Sequence, residues 1–115
     1  MAKLAKYLIN DLKGDWSKPS IKFFRSNSSY GYIIWLTIMD NYYRYGSLPI
    51  EALVGQTEKY ASRRTILDFV NKGVDAGFIE KKNSNDDRRK FFIHPTKITV
   101  QEYNEWSTEF IKNIT

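Results

Sequence analysis

The chain has 115 residues, of which 42% are apolar and 16% aromatic, and it carries a formal net charge of +5. This length fits one domain with a core of its own, and the apolar content excludes a disordered chain. The absence of cysteine excludes a disulfide framework, a cysteine-based zinc site and a thiol nucleophile. A basic balance on a small domain points to a polyanionic partner, of which nucleic acid is the commonest.

The sequence shows no segment that would direct it to a membrane. Residues 1–11 lack the long apolar run and the small-residue cleavage site of a signal peptide. The most apolar window, 32–39, is far shorter than the ~20 residues that a membrane span needs. We therefore expect a cytoplasmic protein with no membrane partner.

Helical spacing dominates the first part of the chain. Apolar residues recur at three- and four-residue intervals over 2–13, which predicts a helix. The cluster of Ile21, Phe23 and Phe24 fits either a strand or a helical turn, and the pattern does not decide between them. Residues 29–45 are apolar around most of their helical circumference, which predicts a helix at the centre of the core.

A short strand and a short helix are predicted next. Ser47 and Leu48 fit an edge strand, and Pro49 suits the first turn of a helix. One apolar face of about two turns follows, and Gly55 is expected to end it.

The segment 62–76 predicts the helix that matters most for function. Ser62 is a favourable N-cap, and Gly77 follows the last apolar turn, as expected of a glycine that ends a helix. Helical spacing divides the residues between two faces. The apolar face holds Ile66, Phe69, Val70, Gly73 and Val74, and the polar face holds Arg63, Arg64, Thr65, Asp68, Asn71 and Lys72.

Residues 78–94 predict a β-hairpin, since two β-rich runs flank a turn rich in Asn, Ser and Asp. A final helix follows, and Thr99 to Glu102 match the capping-box pattern at its start. The aromatic stripe of this helix either closes the monomer core or forms a dimer seam, and we favour the dimer. The stripe consists of Tyr103, Trp106 and Phe110.

The polar helix face and the basic hairpin together suit DNA. An α-helix fits the major groove, where Arg63 and Arg64 could bond guanine edges or hold phosphates. Ser62 and the free N–H groups of the first turn could bind a phosphate. The hairpin arginines, Arg88 and Arg89, could reach the minor groove or the backbone. Each feature alone fits a solvated surface, whereas both together after a helix-turn-helix pattern favour nucleic acid.

These residues resemble the recognition helix and wing of MarR-type winged-helix regulators. The resemblance rests on Ser62-x-x-Thr65-Ile66, Gly77-Phe78-Ile79-Glu80-Lys81 and Asn85-Asp86-Asp87-Arg88-Arg89-Lys90, and it covers about residues 30–97. It implies a mainly α winged helix-turn-helix with a small β-hairpin and about five helices. It also implies a transcriptional regulator that binds double-stranded DNA as a homodimer.

By position, the resemblance assigns major-groove contacts to Ser62, Arg64, Thr65 and Asp68, and the wing contact to Arg88 or Arg89. With the residues chosen from the helix face and the hairpin, the predicted DNA-binding set is Ser62, Arg63, Arg64, Thr65, Asp68, Asn71, Lys72, Arg88, Arg89 and Lys90. The predicted single domain, 1–115, divides into an N-terminal extension (1–28), a winged-helix core (29–97) and a C-terminal helix (98–115) that is a candidate dimer helix.

Catalysis is not expected, and no cofactor or metal is predicted. His94 is the only histidine, and adjacent Asp86 and Asp87 would face opposite ways on a strand, which does not make an acid/base pair. The alternative function is a winged helix used for protein interaction or as a replication or assembly module, because fold does not fix function. Asp68, Asp75 and the two hairpin aspartates favour that alternative.

Overall fold

The computed structural model describes residues 2–13, 18–26, 29–83 and 90–114, and this part of the chain forms a mainly helical fold with one small sheet. In chain order the elements are α1 (Ala2–Lys13), α2 (Pro19–Ser26), α3 (Gly31–Tyr45), β1 (Leu48–Pro49), α4 (Ile50–Thr57), α5 (Arg63–Ala76), β2 (Ile79–Asn83), β3 (Phe91–Pro95) and α6 (Lys97–Ile114). The predicted fold class is confirmed. The helices described number six rather than about five, because the undecided cluster at 21–24 belongs to α2.

The sheet is antiparallel, with strand order β1-β3-β2. In the hairpin, Ile79 pairs with Pro95 and Asn83 pairs with Phe91, which confirms the two predicted strands. The turn between them, 84–89, lies outside the described residues. The predicted edge strand is also present, since Leu48 of β1 pairs with Ile93 of β3. It comprises Leu48 and Pro49 rather than Ser47 and Leu48, so Pro49 precedes α4 and does not lie in its first turn.

The core forms around α3, as its apolar circumference predicts. Trp35, Ile34 and Met39 of this helix have no exposed surface, and the inward residues of α2, α4, α5 and the sheet surround them. α2 is packed closely on α3. A Cβ added to Gly31 would lie 2.0 Å from the carbonyl oxygen of Phe24, so only glycine fits at this contact.

α4 is longer than predicted. The helix passes through Gly55 and ends at Thr57, whose hydroxyl donates to the carbonyl of Leu53 at 2.7 Å. Gly55 is exposed, and a glycine inside a helix costs only about 1 kcal/mol, which neighbouring apolar contacts offset. The prediction that Gly55 ends the helix is therefore wrong.

The predicted capping box is also wrong, because α6 begins at Lys97 and already contains Thr99 and Glu102. Both side chains bond other elements instead. The hydroxyl of Thr99 donates to the carbonyl of Phe78 at 2.8 Å. Glu102 Oε1 accepts from the N–H of Ser20 at 2.8 Å and from its hydroxyl at 2.6 Å. Glu102 of α6 thus provides the hydrogen-bond acceptor that an N–H group in the first turn of α2 lacks within its own helix.

The aromatic stripe of α6 packs against the chain itself. Ring centroids of Trp106 and Tyr103 lie 5.0 Å and 5.4 Å from that of Trp35, and the Phe110 ring lies 5.3 Å from Tyr7 of α1. Of the two predicted uses of this stripe, the structure shows closure of the monomer core. The favoured use as a dimer seam concerns a second copy of the chain and stays a prediction.

No helix in the described part of the chain has the length and apolarity that crossing a bilayer requires.

Candidate nucleic-acid interface

α4, the turn at 58–62 and α5 form a helix-turn-helix, and α5 begins with the predicted cap. Ser62 has an extended backbone, with φ −67° and ψ 159°, and its Oγ accepts from the N–H of Thr65 at 3.2 Å. The same hydroxyl donates to Thr65 Oγ1 at 2.9 Å. The first turn contains no acidic residue, so the positive end of the helix dipole is not offset within it. The other end is closed by Gly77, with φ 86°.

The two predicted faces of α5 are confirmed. Its inward side chains pack on α2 and the sheet, where Phe69 stacks on Phe23 with ring centroids 5.1 Å apart. Gly73 allows β2 to lie close to α5, because a Cβ on this residue would lie 2.5 Å from Ile79 Cδ1. The polar face is open to solvent, with only Thr65 half-buried. The core contacts thus fix which face of α5 points outward.

One row of the polar face points fully outward. Arg64, Asp68 and Lys72 follow one another at four-residue spacing, and all three are exposed. None of them forms an ion pair with another residue in the described part of the chain. Two cations are therefore presented with one carboxylate between them.

A second row borders a small cleft between α4, α5 and the hairpin. Arg63 and Asn71 line this cleft of about 170 Å³ together with Lys81 and Phe91. Lys81 Nζ lies 3.4 Å from Asn71 Oδ1 and 4.2 Å from the centroid of the Phe91 ring, which is a cation–π contact. Lys81 joins the hairpin to α5, and it was not among the predicted site residues.

Arg63 is held by an acidic residue of the preceding helix. Its Nη2 lies 2.5 Å from Glu51 Oε1, and its Nη1 donates to Glu51 Oε2. The hydrogen bond from Arg63 lowers the pKa of the Glu51 carboxyl below its usual value, and the same bond raises the pKa of Arg63. Sequence reasoning missed Glu51, because the two residues are separated by a turn and no helical spacing relates them.

The wing is only partly described. Lys90 is exposed directly before β3, while Arg88 and Arg89 lie outside the described residues, as do Asp86 and Asp87. The proposed arginine contacts of the wing therefore stay predictions.

His94 lies away from this face, at the base of the hairpin. Its Nε2 is 3.1 Å from Glu80 Oε2, and its Nδ1 is 3.3 Å from the carbonyl oxygen of Pro95. This pair joins β2 to β3 at positions that are direct partners in the sheet. Nowhere in the described ranges do three histidine or acidic side chains converge as metal ligands would.

Comparison with solved structures finds this fold in transcriptional regulators. NadR, solved in complex with 4-hydroxyphenylacetate, superposes with a TM-score of 0.60 at 19% identity. The transcriptional regulator PA4135 gives 0.60 at 15% identity, with 96% of this chain and 78% of that one covered. AbsC, a MarR family transcriptional regulator from Streptomyces coelicolor, gives 0.62 at 13% identity, with 98% and 70% covered.

The match to NadR covers 74% of this chain but 56% of NadR, so the chain spans little more than half of that protein. No protein-family model matches the sequence, and no curated protein matches it. The likeness is therefore one of architecture: the capped α5, the helix before it and the small sheet together have the winged-helix fold of MarR-family transcriptional regulators.

Proposed function

We propose that this protein is a sequence-specific double-stranded DNA-binding protein that regulates transcription. In this proposal α5 lies in the major groove, and the wing, 78–94, contacts the minor groove or the backbone. The observation that carries it is the outward row of α5, where Arg64 and Lys72 stand on a capped helix with no ion-pair partner in the described chain. A helix presented in this way has the dimensions and donors for reading base edges.

The individual roles follow from the geometry of the first turn and the outward row. The bond between Ser62 and Thr65 fixes the turn, so that its remaining N–H groups can bind a phosphate. Arg64 contacts guanine or phosphate, and Lys72 contacts phosphate. Asp68 would repel phosphate, but it can accept from the amino group of cytosine and so contribute to sequence choice.

We further propose that the protein acts as a homodimer. Ile9 of α1 and Ile111 and Ile114 of α6 are 50%, 58% and 38% exposed, and α1 packs along α6. These exposed apolar side chains lie outside the core, and in this proposal a second copy covers them. Two copies would then present their recognition helices to half-sites about 34 Å apart. Such a regulator works in the cytoplasm and needs neither catalysis nor a cofactor.

The test is a salt titration of binding to a short random-sequence duplex, followed by fluorescence anisotropy. We expect log K to fall linearly with log salt between about 50 and 200 mM, because each phosphate contact releases condensed counterions. Replacing Arg64 and Lys72 together with Ala should lower the slope by about 1 for each phosphate that the variant no longer binds. Replacing Lys3 and Lys6 of α1 together with Ala is the control for removal of two positive charges elsewhere and should leave the slope unchanged.

The second candidate function is a winged helix that binds protein or serves as a replication or assembly module. It is favoured by the position of Asp68, exposed between the two cations where it would oppose a phosphate backbone. Absence of duplex binding at low salt would refute the DNA proposal and leave this one. Slopes that are equal in the wild type and the Arg64/Lys72 variant would show that α5 is not the contact surface.

A further inference from the structure

Glu51 occupies the part of Arg63 that a DNA contact would use. Both terminal nitrogens of the guanidinium bond the two oxygens of this carboxylate, with the Nη2–Oε1 distance at 2.5 Å. A guanine edge is recognised through the same paired donors, which bond its N7 and O6. A bidentate phosphate contact also requires them. Arg63 therefore cannot bind Glu51 and DNA in these ways at once.

The pair lies where it can open. The side chains of Arg63 and Glu51 are 55% and 65% exposed, so water and salt screen their attraction. Glu51 stands in the first turn of α4, where the helix dipole favours a negative charge, and Arg63 is the first residue of α5. The contact thus bridges the two helices of the helix-turn-helix on the side that borders the cleft.

We propose, on the basis of the proposed function, that Glu51 is a specificity-determining residue that competes with DNA for Arg63. Its carboxylate serves as an internal substitute for the acceptors of the duplex. Only a DNA position that offers Arg63 two acceptors in the right place replaces both of its bonds to Glu51. If the duplex does not offer these two acceptors, Arg63 stays bonded to Glu51. The negative charge of Glu51 then also repels the DNA phosphates.

The proposal predicts that Glu51→Gln increases the affinity for a random-sequence duplex. Glutamine keeps the size of the side chain and one acceptor but lacks the charge that holds the guanidinium. We expect a rise in affinity of roughly two- to fivefold, the range expected when an exposed ion pair is removed. The salt slope should steepen by about 0.9, because Arg63 then binds one further phosphate. Glu51→Ala, which removes both acceptors, should give the same change.

Two controls separate this effect from a general change in charge. Glu58→Gln removes the same charge from an exposed residue directly after α4, which forms no ion pair within the described part of the chain. It should increase affinity less and leave the slope as it is in the wild type. In an Arg63→Ala background, Glu51→Gln should increase affinity no more than Glu58→Gln does, because the residue that it releases is gone.

Each outcome bears on one proposal or the other. If the wild type binds DNA and Glu51→Gln behaves like Glu58→Gln, competition for Arg63 is refuted and the proposed function stands. A rise in affinity that exceeds that of Glu58→Gln and persists without Arg63 refutes it equally. Weaker binding by Glu51→Gln would show that Glu51 positions Arg63 for DNA, which reverses the proposal. If the wild type binds no duplex at low salt, the proposed function itself is refuted.

Discussion

Replacing Gly31 with Ala tests the closest contact in the fold, that between α2 and α3. The added Cβ would lie 2.0 Å from the carbonyl oxygen of Phe24 and 3.2 Å from Cζ of Phe69. Ordinary contact begins at 3.4 Å, so α2 and α3 would have to separate by about 1.4 Å at this point. The obstructing atom belongs to the backbone, and no side-chain rotation can relieve the overlap.

The expected cost follows from the rigidity of the neighbours. Overpacking a well-packed core usually costs about 1–3 kcal/mol, and a shift of backbone lies at or above the upper end. We expect Gly31→Ala to lower the free energy of unfolding by about 3 kcal/mol. For a chain of this size, the melting temperature should fall by about 10 °C. Phe69 of α5 also lies at this contact, so the change should disturb the packing that supports α5.

The assay is urea unfolding followed by tryptophan fluorescence, with Gly55→Ala as the matched control. Gly55 lies inside α4, and a Cβ there meets nothing within 4 Å. The same substitution should therefore stabilise the protein by about 0.5–1 kcal/mol through helix propensity alone. Equal effects of the two substitutions, or a Gly31→Ala protein as stable as the wild type, would refute the close approach of α2 and α3.

Two further predictions concern α6. Glu102→Ala should lower the free energy of unfolding by about 2 kcal/mol in urea, because the buried N–H and hydroxyl of Ser20 are left without their acceptor. Tyr103→Phe should reduce the loss of stability in alkali. Burial raises the pKa of Tyr103 above its usual 10.0, with smaller contributions from Tyr43 and Asp40. The contribution of Tyr103 to stability is therefore complete below about pH 10 and declines as the pH rises through the folded-state pKa. Melting temperatures across alkaline pH measure it.

Each of these has its own contrary result. Glu105→Ala, one turn further along α6, removes an exposed carboxylate 3.7 Å from Lys18 and should change stability by no more than about 0.5 kcal/mol. A Glu102 variant that is no less stable than the Glu105 variant would show that α2 needs no acceptor from α6. If the Tyr103→Phe variant and the wild type lose stability in parallel above pH 10, burial does not raise the pKa of Tyr103.

Local signals were enough for the elements that form the candidate interface. The Ser62 cap, the Gly77 stop and the two-sided pattern between them depend on neighbours within a few residues. The strands at 79–83 and 91–95 are similarly indicated by β-rich runs and a polar turn. α3 was predicted from its apolar circumference, because a helix surrounded by others needs no polar side.

Sequence patterns gave wrong predictions where the residue that a side chain contacts lies far away in the chain. Thr99 and Glu102 have the residue types of a capping box, but their acceptor and donors are on Phe78 and Ser20. Gly55 suggested a helix end, but tertiary contacts of α4 stabilise the helix as far as Thr57. Periodicity within a short segment such as 19–26 cannot separate a helix from a strand.

The same limit applies to the candidate site. Helical spacing placed Arg63 and Asn71 on the polar face, which is correct, but it could not show that they border a cleft with Lys81. It also could not show that Glu51 holds Arg63, because that contact depends on how α4 and α5 cross. Sequence thus predicted which side chains face outward, and packing determined which of them are paired.

The bond between Ser20 and Glu102 joins residues 82 positions apart, and this separation sets an order of events during synthesis. The first turn of α2 has no acceptor for Ser20 until Glu102 of α6 has been made. Contacts of such long range close late and slow the folding of a chain. During synthesis the N–H and the hydroxyl of Ser20 therefore stay bonded to water until Glu102 is available, and the carboxylate then replaces that water.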